Sequence, residues 1–105
     1  FSIGTNSSMS CAIEVETATH QICCEHQPES TVLNERFKGG WTTRHYGQPA
    51  RGIHAIQMEL AQSTYLTDQA APWAYDQTKA AKLRPHLTAI LITLAALAPT
   101  LGGTT

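Results

Sequence analysis

The sequence has few charged side chains and no cluster of one sign. Seven lysine and arginine residues stand against eight aspartate and glutamate residues, which gives a formal net charge of -1. Without a basic cluster the chain has nothing that could follow a phosphate backbone or an anionic membrane surface. We therefore expect neither nucleic acid nor a membrane as a partner.

Cysteine is also scarce. The three cysteines are Cys11, Cys23 and Cys24, an odd number with two of them adjacent. This spacing does not resemble the paired framework of a small secreted scaffold. We expect free thiols and a cytoplasmic location.

Long apolar runs are missing too. The most apolar stretch, residues 87 to 98, is shorter than the roughly 20 residues that cross a bilayer, so it predicts a core helix. The first residues lack an initiator Met and the order of a signal peptide, which is typical of a chain continued from a longer one. With no repeat, low-complexity run or linker, we predict a single domain over residues 1–105, with residues 99–105 as a frayed tail.

Two helices and a short strand are predicted outside the central region. Ser10 is a candidate N-cap for a helix whose apolar face carries Cys11, Val15, Ala18 and Ile22 and which ends before Pro28. The "STVLN" segment predicts a short strand, followed by a long loop. From Asp76 onward the chain is helical by composition, with Pro85 kinking that helix or starting a new one. Its apolar stripe comprises Leu83, Leu87, Ile90, Leu91, Leu94 and Leu97.

The segment "GIHAIQMEL" alternates, with largely apolar residues on both sides. This pattern predicts an interior strand over residues 53–58 of a small α/β sheet flanked by the two helices. Glu59 then lies at the carboxyl end of that strand, where α/β sheets usually build their sites. A carboxylate there could shuttle a proton, although it could equally cap the next turn or pair with an arginine.

The segment "NERFKGGWTTRHYGQPARGIHAIQMELAQSTYL", residues 34–66, resembles the C-terminal part of the N-formylglutamate amidohydrolases. The likeness extends back to "IGTNSSMSC" and, more weakly, forward through "WAYD". It implies an α/β fold, the C-terminal part of a zinc-carboxypeptidase/aspartoacylase-like (phosphorylase/hydrolase-like) fold with a short sheet flanked by helices. The implied activity is hydrolysis of N-formyl-L-glutamate to formate and L-glutamate in histidine degradation, through a metal-bound water.

The resemblance also implies roles for residues of the central segment. Glu59 corresponds to the family's general base, and His45 helps to polarise the amide or lines the pocket. Arg44 binds a substrate carboxylate, and Tyr46 donates its hydroxyl to a carboxylate or to the oxyanion. Lys38, followed by two glycines, belongs to a loop that approaches the ligand. From the residues alone, Arg44 reads as a surface arginine, Tyr46 as a packing residue and His54 as a hydrogen-bonded core histidine.

Zinc is expected in the full-length family but not in this chain. The resemblance places the family's metal-binding motifs upstream of the "IGT" loop, and no three-ligand set occurs here. Glu35 is a second departure, because the family prefers glycine in that motif. In "HQICCEH", His20 with Cys24 and Cys23 with His26 offer soft ligands at helical spacing, although buried free cysteines are the ordinary outcome.

Two classes of function follow. The first is a metal-dependent amidohydrolase represented by its C-terminal portion, which would be inactive by itself. The second is a non-catalytic, truncated or remnant domain that folds and binds a partner or a small acid through residues 38–48. A homo-oligomer, or association with an N-terminal portion, fits either class.

Overall fold

The computed structural model describes residues 1–101. Along the chain, the strands and helices are β1 (Ser2–Gly4), α1 (Ile13–His26), β2 (Val32–Leu33), α2 (Trp41–Tyr46), β3 (Gln57–Glu59) and α3 (Gln77–Leu97). Short 3-10 turns occupy Pro49–Arg51, Gln62–Thr64 and Ala98–Thr100. The described part is a small α/β arrangement in which two long helices accompany a short sheet.

The sheet has three strands in the order β2-β1-β3. β1 pairs in parallel with β2 and antiparallel with β3, and Ser2 lies opposite Glu59. Ile3, in the central strand, is completely buried. The predicted interior strand over residues 53–58 is therefore wrong, because β3 covers only Gln57–Glu59 and pairs on one side among the described residues. The Ala55 N–H instead donates to the Ser10 carbonyl outside the sheet.

Helix α1 begins later than predicted. Its N-cap is Ala12, whereas Ser10 is buried and its hydroxyl donates to the Ala55 carbonyl at 2.6 Å. Ser10 was therefore a wrong N-cap prediction, because its hydroxyl is used by a residue distant in sequence. The predicted end before Pro28 is confirmed by the last helical residue, His26.

The buried face of α1 agrees in part with the predicted one, because Val15 and the preceding Cys11 are buried as expected. Within the helix it presents Val15, Thr19 and Cys23, whereas the predicted Ala18 and Ile22 are only partly buried. The Thr19 hydroxyl donates to the Val15 carbonyl at 2.9 Å, so this polar group is buried with a partner. The prediction missed Thr19 because it counted only apolar residues.

Helix α3 starts where the sequence predicts. Asp76 is its N-cap and accepts a hydrogen bond from the Lys79 N–H at 3.0 Å. Pro85 lies inside the continuous helix, so no new helix starts there. Leu83 and Ile90 enter the core and Leu91 is 69% exposed, so Leu91 was wrongly assigned to the buried stripe.

The hydrophobic core lies between the sheet and the two long helices. Its buried members come from β1 and the residue before it, from α1 and from α3: Phe1, Ile3, Cys23, Leu83 and Ile90. Partly buried apolar residues from β3 and the following segment, including Met58, Leu60 and Tyr65, pack against them. This packing fixes β3, and hence Glu59, against the central strand.

The helical segment formed by α3 and the 3-10 turn after it is longer than the apolar run of residues 87–98. The 24-residue segment Gln77–Thr100 contains an 18-residue window with mean hydropathy 1.2, and by length and composition alone it could cross a membrane. Core helices of soluble proteins also meet this criterion, but only 17% of the apolar window is buried here. Of the predicted frayed tail, residues 98–100 form a 3-10 turn, and residues 102–105 lie outside the described part.

Candidate active site

The segment Lys38–Gly40 lies directly against the end of β1. A Cβ atom on Gly4 would come within 2.6 Å of the Lys38 carbonyl carbon, so no larger residue fits there without a shift. The Asn6 N–H donates to the Lys38 carbonyl at 2.6 Å. The predicted close-approach loop is therefore packed on the backbone of β1.

The region predicted as a long loop contains helix α2, which carries three of the candidate site residues. The exposed guanidinium of Arg44 donates from Nη1 to the Gly39 carbonyl at 3.1 Å. The His45 ring stacks on Trp41 with centroids 4.2 Å apart, and Tyr46 meets both rings edge-on. His45 and Tyr46 thus belong to an aromatic cluster on an exposed helix.

Glu59 closes β3 beside a cleft of about 290 Å³. The lining residues are mostly apolar and include Phe1, Val32, Phe37 and Leu60. Because β3 runs antiparallel to β1, the carboxyl end of β3 lies at the amino end of β1. The predicted position of Glu59 at the carboxyl end of its strand is confirmed, but no carboxyl end of a neighbouring strand accompanies it on the β1 side.

Gln57 connects Glu59 with the glycine segment. Its side-chain carbonyl accepts from the Gly40 N–H at 2.8 Å, and its Nε2 donates to Glu59 Oε1 at 2.8 Å. Residues two apart in a strand point to the same side, which brings the Gln57 and Glu59 side chains together. In the described residues, hydrogen bonds link Glu59 to the start of α2 only through Gln57.

Sequence reasoning missed this role of Gln57. The alternation placed it on the same side as Glu59, and that shared side was the available signal. The pairing with the Gly40 N–H joins positions 17 apart in sequence, which the local pattern could not show.

A second polar network fixes the loop that follows β1, and sequence reasoning missed it as well. Buried Glu16 accepts from the Thr5 and Ser8 hydroxyls at 2.6 and 2.7 Å. The Asn34 side-chain carbonyl accepts from the Thr5 N–H at 2.8 Å and from the Ser7 N–H at 3.3 Å. These bonds connect α1 and the end of β2 to this loop.

The same loop has an unusual backbone. Asn6, Ser7 and Ser8 have φ values of 50°, 55° and 69°, in the left-handed region that residues with side chains rarely adopt. Such conformations persist where surrounding contacts determine them, and they concentrate at functional sites. The "GTNSS" run was the available sequence signal, since serine and asparagine favour turns through local side-chain bonds.

His54 is hydrogen-bonded to the residue before α1. Its Nδ1 accepts from the Ala12 N–H at 3.0 Å, so the expected hydrogen-bonded histidine is confirmed. Its Nε2 is buried without a partner among the described residues. Because Nδ1 accepts, the ring proton lies on Nε2, and His54 holds the start of α1 rather than the candidate site.

The "HQICCEH" segment separates into different contacts. Cys24 Sγ lies 3.5 Å from His20 Nε2, while the His26 ring stacks on His86 with centroids 3.8 Å apart. Cys23 is a buried free thiol, and burial raises its pKa to about 11. Burial likewise raises the pKa of the Cys11 thiol to about 11. Among residues 1–101, no three His, Cys, Asp or Glu side chains are placed to hold a metal ion, either here or around Glu59.

The family model for N-formylglutamate amidohydrolase matches residues 1–66, which contain both polar networks and Glu59. The chain belongs to this family, and the resemblance seen in the sequence is confirmed. No solved structure matches, so the carboxypeptidase-like fold stays a prediction.

Two curated relatives are called N-formylglutamate deformylase. The one from Pseudomonas aeruginosa is 44% identical over 96 residues, which cover 91% of this chain and 36% of the relative. The one from Pseudomonas putida is 48% identical over 75 residues, covering 71% of this chain and 28% of the relative. The chain thus spans about a third of the length of the relatives that it matches.

Proposed function

We propose that this chain forms part of an N-formylglutamate deformylase, which hydrolyses N-formyl-L-glutamate to formate and L-glutamate. The family match over residues 1–66 carries the proposal, together with the position of the Glu59 carboxylate at a cleft. Glu59 accepts a hydrogen bond from Gln57, and Gln57 in turn accepts one from the Gly40 N–H at the start of α2. The names of the two relatives supply the substrate.

The proposed chemistry is addition of water to the formyl carbon followed by cleavage of the C–N bond. Glu59 accepts a proton from the attacking water and delivers it to the leaving nitrogen, a role worth about 10²–10⁴-fold in rate. The permanently charged fork of Arg44 suits one of the two substrate carboxylates. The remaining substrate contacts come from α2 and the segment before it. Tyr46 and Lys38 bind the substrate, and His45 polarises the amide or lines the pocket.

The described residues do not provide a zinc site. Catalytic zinc takes three protein ligands and an open position, and residues 1–101 place no such set together. We therefore propose that a catalytic metal, as in the enzymes that the family resembles, is held by residues outside this chain. The isolated chain should then hydrolyse no N-formylglutamate.

The test is a chimera in which this chain replaces the matching part of the P. aeruginosa relative. The chimera should hydrolyse N-formylglutamate, and Glu59→Gln should abolish turnover while substrate binding persists. Glu25→Gln makes the same chemical change at an exposed position of α1 and should leave turnover unchanged. Near-normal turnover in the Glu59→Gln chimera would show that Glu59 is not the general base.

Arg44→Ala should mainly weaken substrate binding in the same chimera. Losing a charge-assisted hydrogen bond costs about 1.5–3 kcal/mol, which corresponds to roughly a 10–150-fold rise in KM if the contact forms equally in the ground and transition states. An unchanged KM would remove Arg44 from the substrate site.

A non-catalytic, partner-binding domain is the second candidate. The observation that favours it is the exposure of Trp41 and Tyr46, 60% and 54%, on a helix of the segment 38–48. Large exposed aromatics are enriched at protein interfaces. An inactive but folded chimera would favour this candidate over the deformylase.

A further inference from the structure

The outward side of α3 has a composition that is unusual for a surface helix. From Pro85 to the end of the sequence there is no Asp, Glu, Lys or Arg. Leu83 and Ile90 point into the core, whereas Leu91 and Ile92 are 69% and 65% exposed. A helix that is apolar on all sides is normally covered on all sides, because a solvent-facing side carries charged residues.

We call the uncovered side the outer face of α3 and define it by five exposed residues: Ala81, Pro85, Thr88, Ile92 and Ala95. Four of them line a shallow groove of about 580 Å³, with Arg84 as its one charged lining residue. A second groove of about 420 Å³ lies between α1 and α3, lined by Ile13, Ala18 and Leu97 among others. Small residues on the first groove, such as Ala81 and Thr88, allow the backbone of another polypeptide to approach closely.

We infer that the outer face of α3 is the docking surface for the part of a deformylase polypeptide that lies outside the third spanned by this chain. The inference rests on the proposed function. The relatives have nearly two-thirds of their length beyond the matched region, since the match covers 36% of the P. aeruginosa protein. A polypeptide of that size must pack on this chain to form one enzyme, and the outer face offers it exposed uncharged side chains beside a groove with one charged lining residue, Arg84.

A bilayer fits this face less well than a protein. The uncharged helical residues 85–97 extend about 20 Å at 1.5 Å per residue, short of the roughly 30 Å hydrocarbon core. The opposite side of α3 is packed against α1, and the exposed Glu14 lines the groove between these helices. Insertion of α3 would therefore either remove it from its core or carry a carboxylate into the lipid.

The experiment compares one substitution in two contexts. Ile92→Glu should leave the Tm of the isolated chain unchanged, because Ile92 is exposed there. In the chimera described above, the same change buries an unpaired carboxylate and should lower the Tm by more than about 5 °C. Lys82→Glu places the same side chain on another side of α3, at an exposed position, and should change the Tm in neither context. Once Ile92→Glu is shown to keep the Tm of the isolated chain, a chimera that fails to fold only with this substitution also supports the inference.

Other results would overturn the inference. Equal Tm values for the Ile92→Glu and parent chimeras would show that the face stays in solvent. An isolated chain that elutes as a dimer, and as a monomer with Ile92→Glu, would assign the face to a second copy. Ile92-dependent binding to vesicles of phosphatidylethanolamine and phosphatidylglycerol would assign it to a bilayer.

The same set of proteins separates this inference from the proposed function. A chimera that depends on Ile92 for stability but hydrolyses no N-formylglutamate would retain the docking surface and reject the activity. An active chimera that is indifferent to Ile92→Glu would retain the activity and reject the docking surface.

Discussion

Gln57 shows how much a single amide can organise at the residue scale. It receives a backbone N–H at the start of α2 and donates to the carboxylate at the end of β3. An amide does both because it carries a carbonyl acceptor and an NH₂ donor on one planar group. The orientation of Glu59 is therefore tied to the position of the glycine segment.

Gln57→Leu should remove this connection while keeping the size of the side chain. We expect a loss of about 1 kcal/mol in the free energy of unfolding and faster hydrogen exchange at the Gly40 amide. Denaturant unfolding and amide exchange by NMR measure the two effects. Gln62→Leu makes the same change in the exposed turn after β3 and should leave the Gly40 exchange rate unchanged. An unchanged Gly40 rate in Gln57→Leu would mean that the hydrogen bond does not persist in solution.

At the scale of elements, leucines of α3 that follow the same apolar pattern in the sequence differ widely in their exposure. Leu83 is 5% exposed and belongs to the core, while Leu91 is 69% exposed. The 3.6-residue period sets which residues share a side, and packing against α1 selects the side that is buried. The predicted stripe was wide enough to include both.

Leu83→Ala should therefore lower the free energy of unfolding by about 2–5 kcal/mol, because it removes buried methyl groups and leaves a cavity. Leu91→Ala should change it by less than about 0.5 kcal/mol in the isolated chain. Chemical denaturation of the two variants measures the difference. Equal losses would indicate that Leu91 is buried in solution and that the exposed position assigned to it here is wrong.

The contact between α1 and α3 should also make stability depend on pH. Burial lowers the pKa of His26, and the stacked His86 and the Phe1 amino group add to the effect by repelling its protonated form. The unfolded chain therefore binds a proton at a higher pH than the folded chain. Stability contributed by the neutral His26 is complete above the unfolded pKa, near 6.5, and is lost as the pH falls below that value.

His86→Gln should reduce this acid destabilisation, since it removes a neighbouring positive charge and leaves burial as the main cause. Thermal unfolding between about pH 8 and about pH 5 should show a smaller decrease of Tm in the variant than in the parent. His45→Gln, on the exposed helix α2, should keep the parent's pH dependence. If His86→Gln and the parent lose stability identically, the stacked pair does not govern the acid response.

At the scale of the whole molecule, the family match over residues 1–66 is not accompanied by a cluster of metal ligands in the described part of the chain. Residues 1–101 bring no three metal-ligating side chains together. Metal affinity depends on several ligands held at fixed positions, and one carboxylate with isolated cysteine and histidine pairs does not reach it.

The purified chain should accordingly contain far less than one zinc ion per molecule. Elemental analysis after dialysis against metal-free buffer measures this, with the P. aeruginosa relative treated in parallel for comparison. The Glu59→Gln variant should give the same low content as the parent. Near-stoichiometric zinc would contradict the prediction and would direct attention back to the cysteines and histidines of α1.

Several features of this protein could be predicted from residues that are close together in the sequence. The start of α3 at Asp76 and the end of α1 before Pro28 follow from a capping carboxylate and from proline sterics, which act within a few residues. The family was also evident from the segment around Glu59, because that run of residues is long and specific. These are properties that neighbouring residues impose on one another.

Only the tertiary structure decided which strand is central and how the candidate site is connected. β1, a three-residue strand at the beginning of the chain, takes the interior place, and the alternating segment pairs at its side. Ser10 is recruited by Ala55, and Gly40 by Gln57, across 45 and 17 residues of sequence. Such pairings depend on which backbone groups come together when the core packs. The residues next to a hydrogen-bonding side chain in the sequence do not indicate a partner that is so distant.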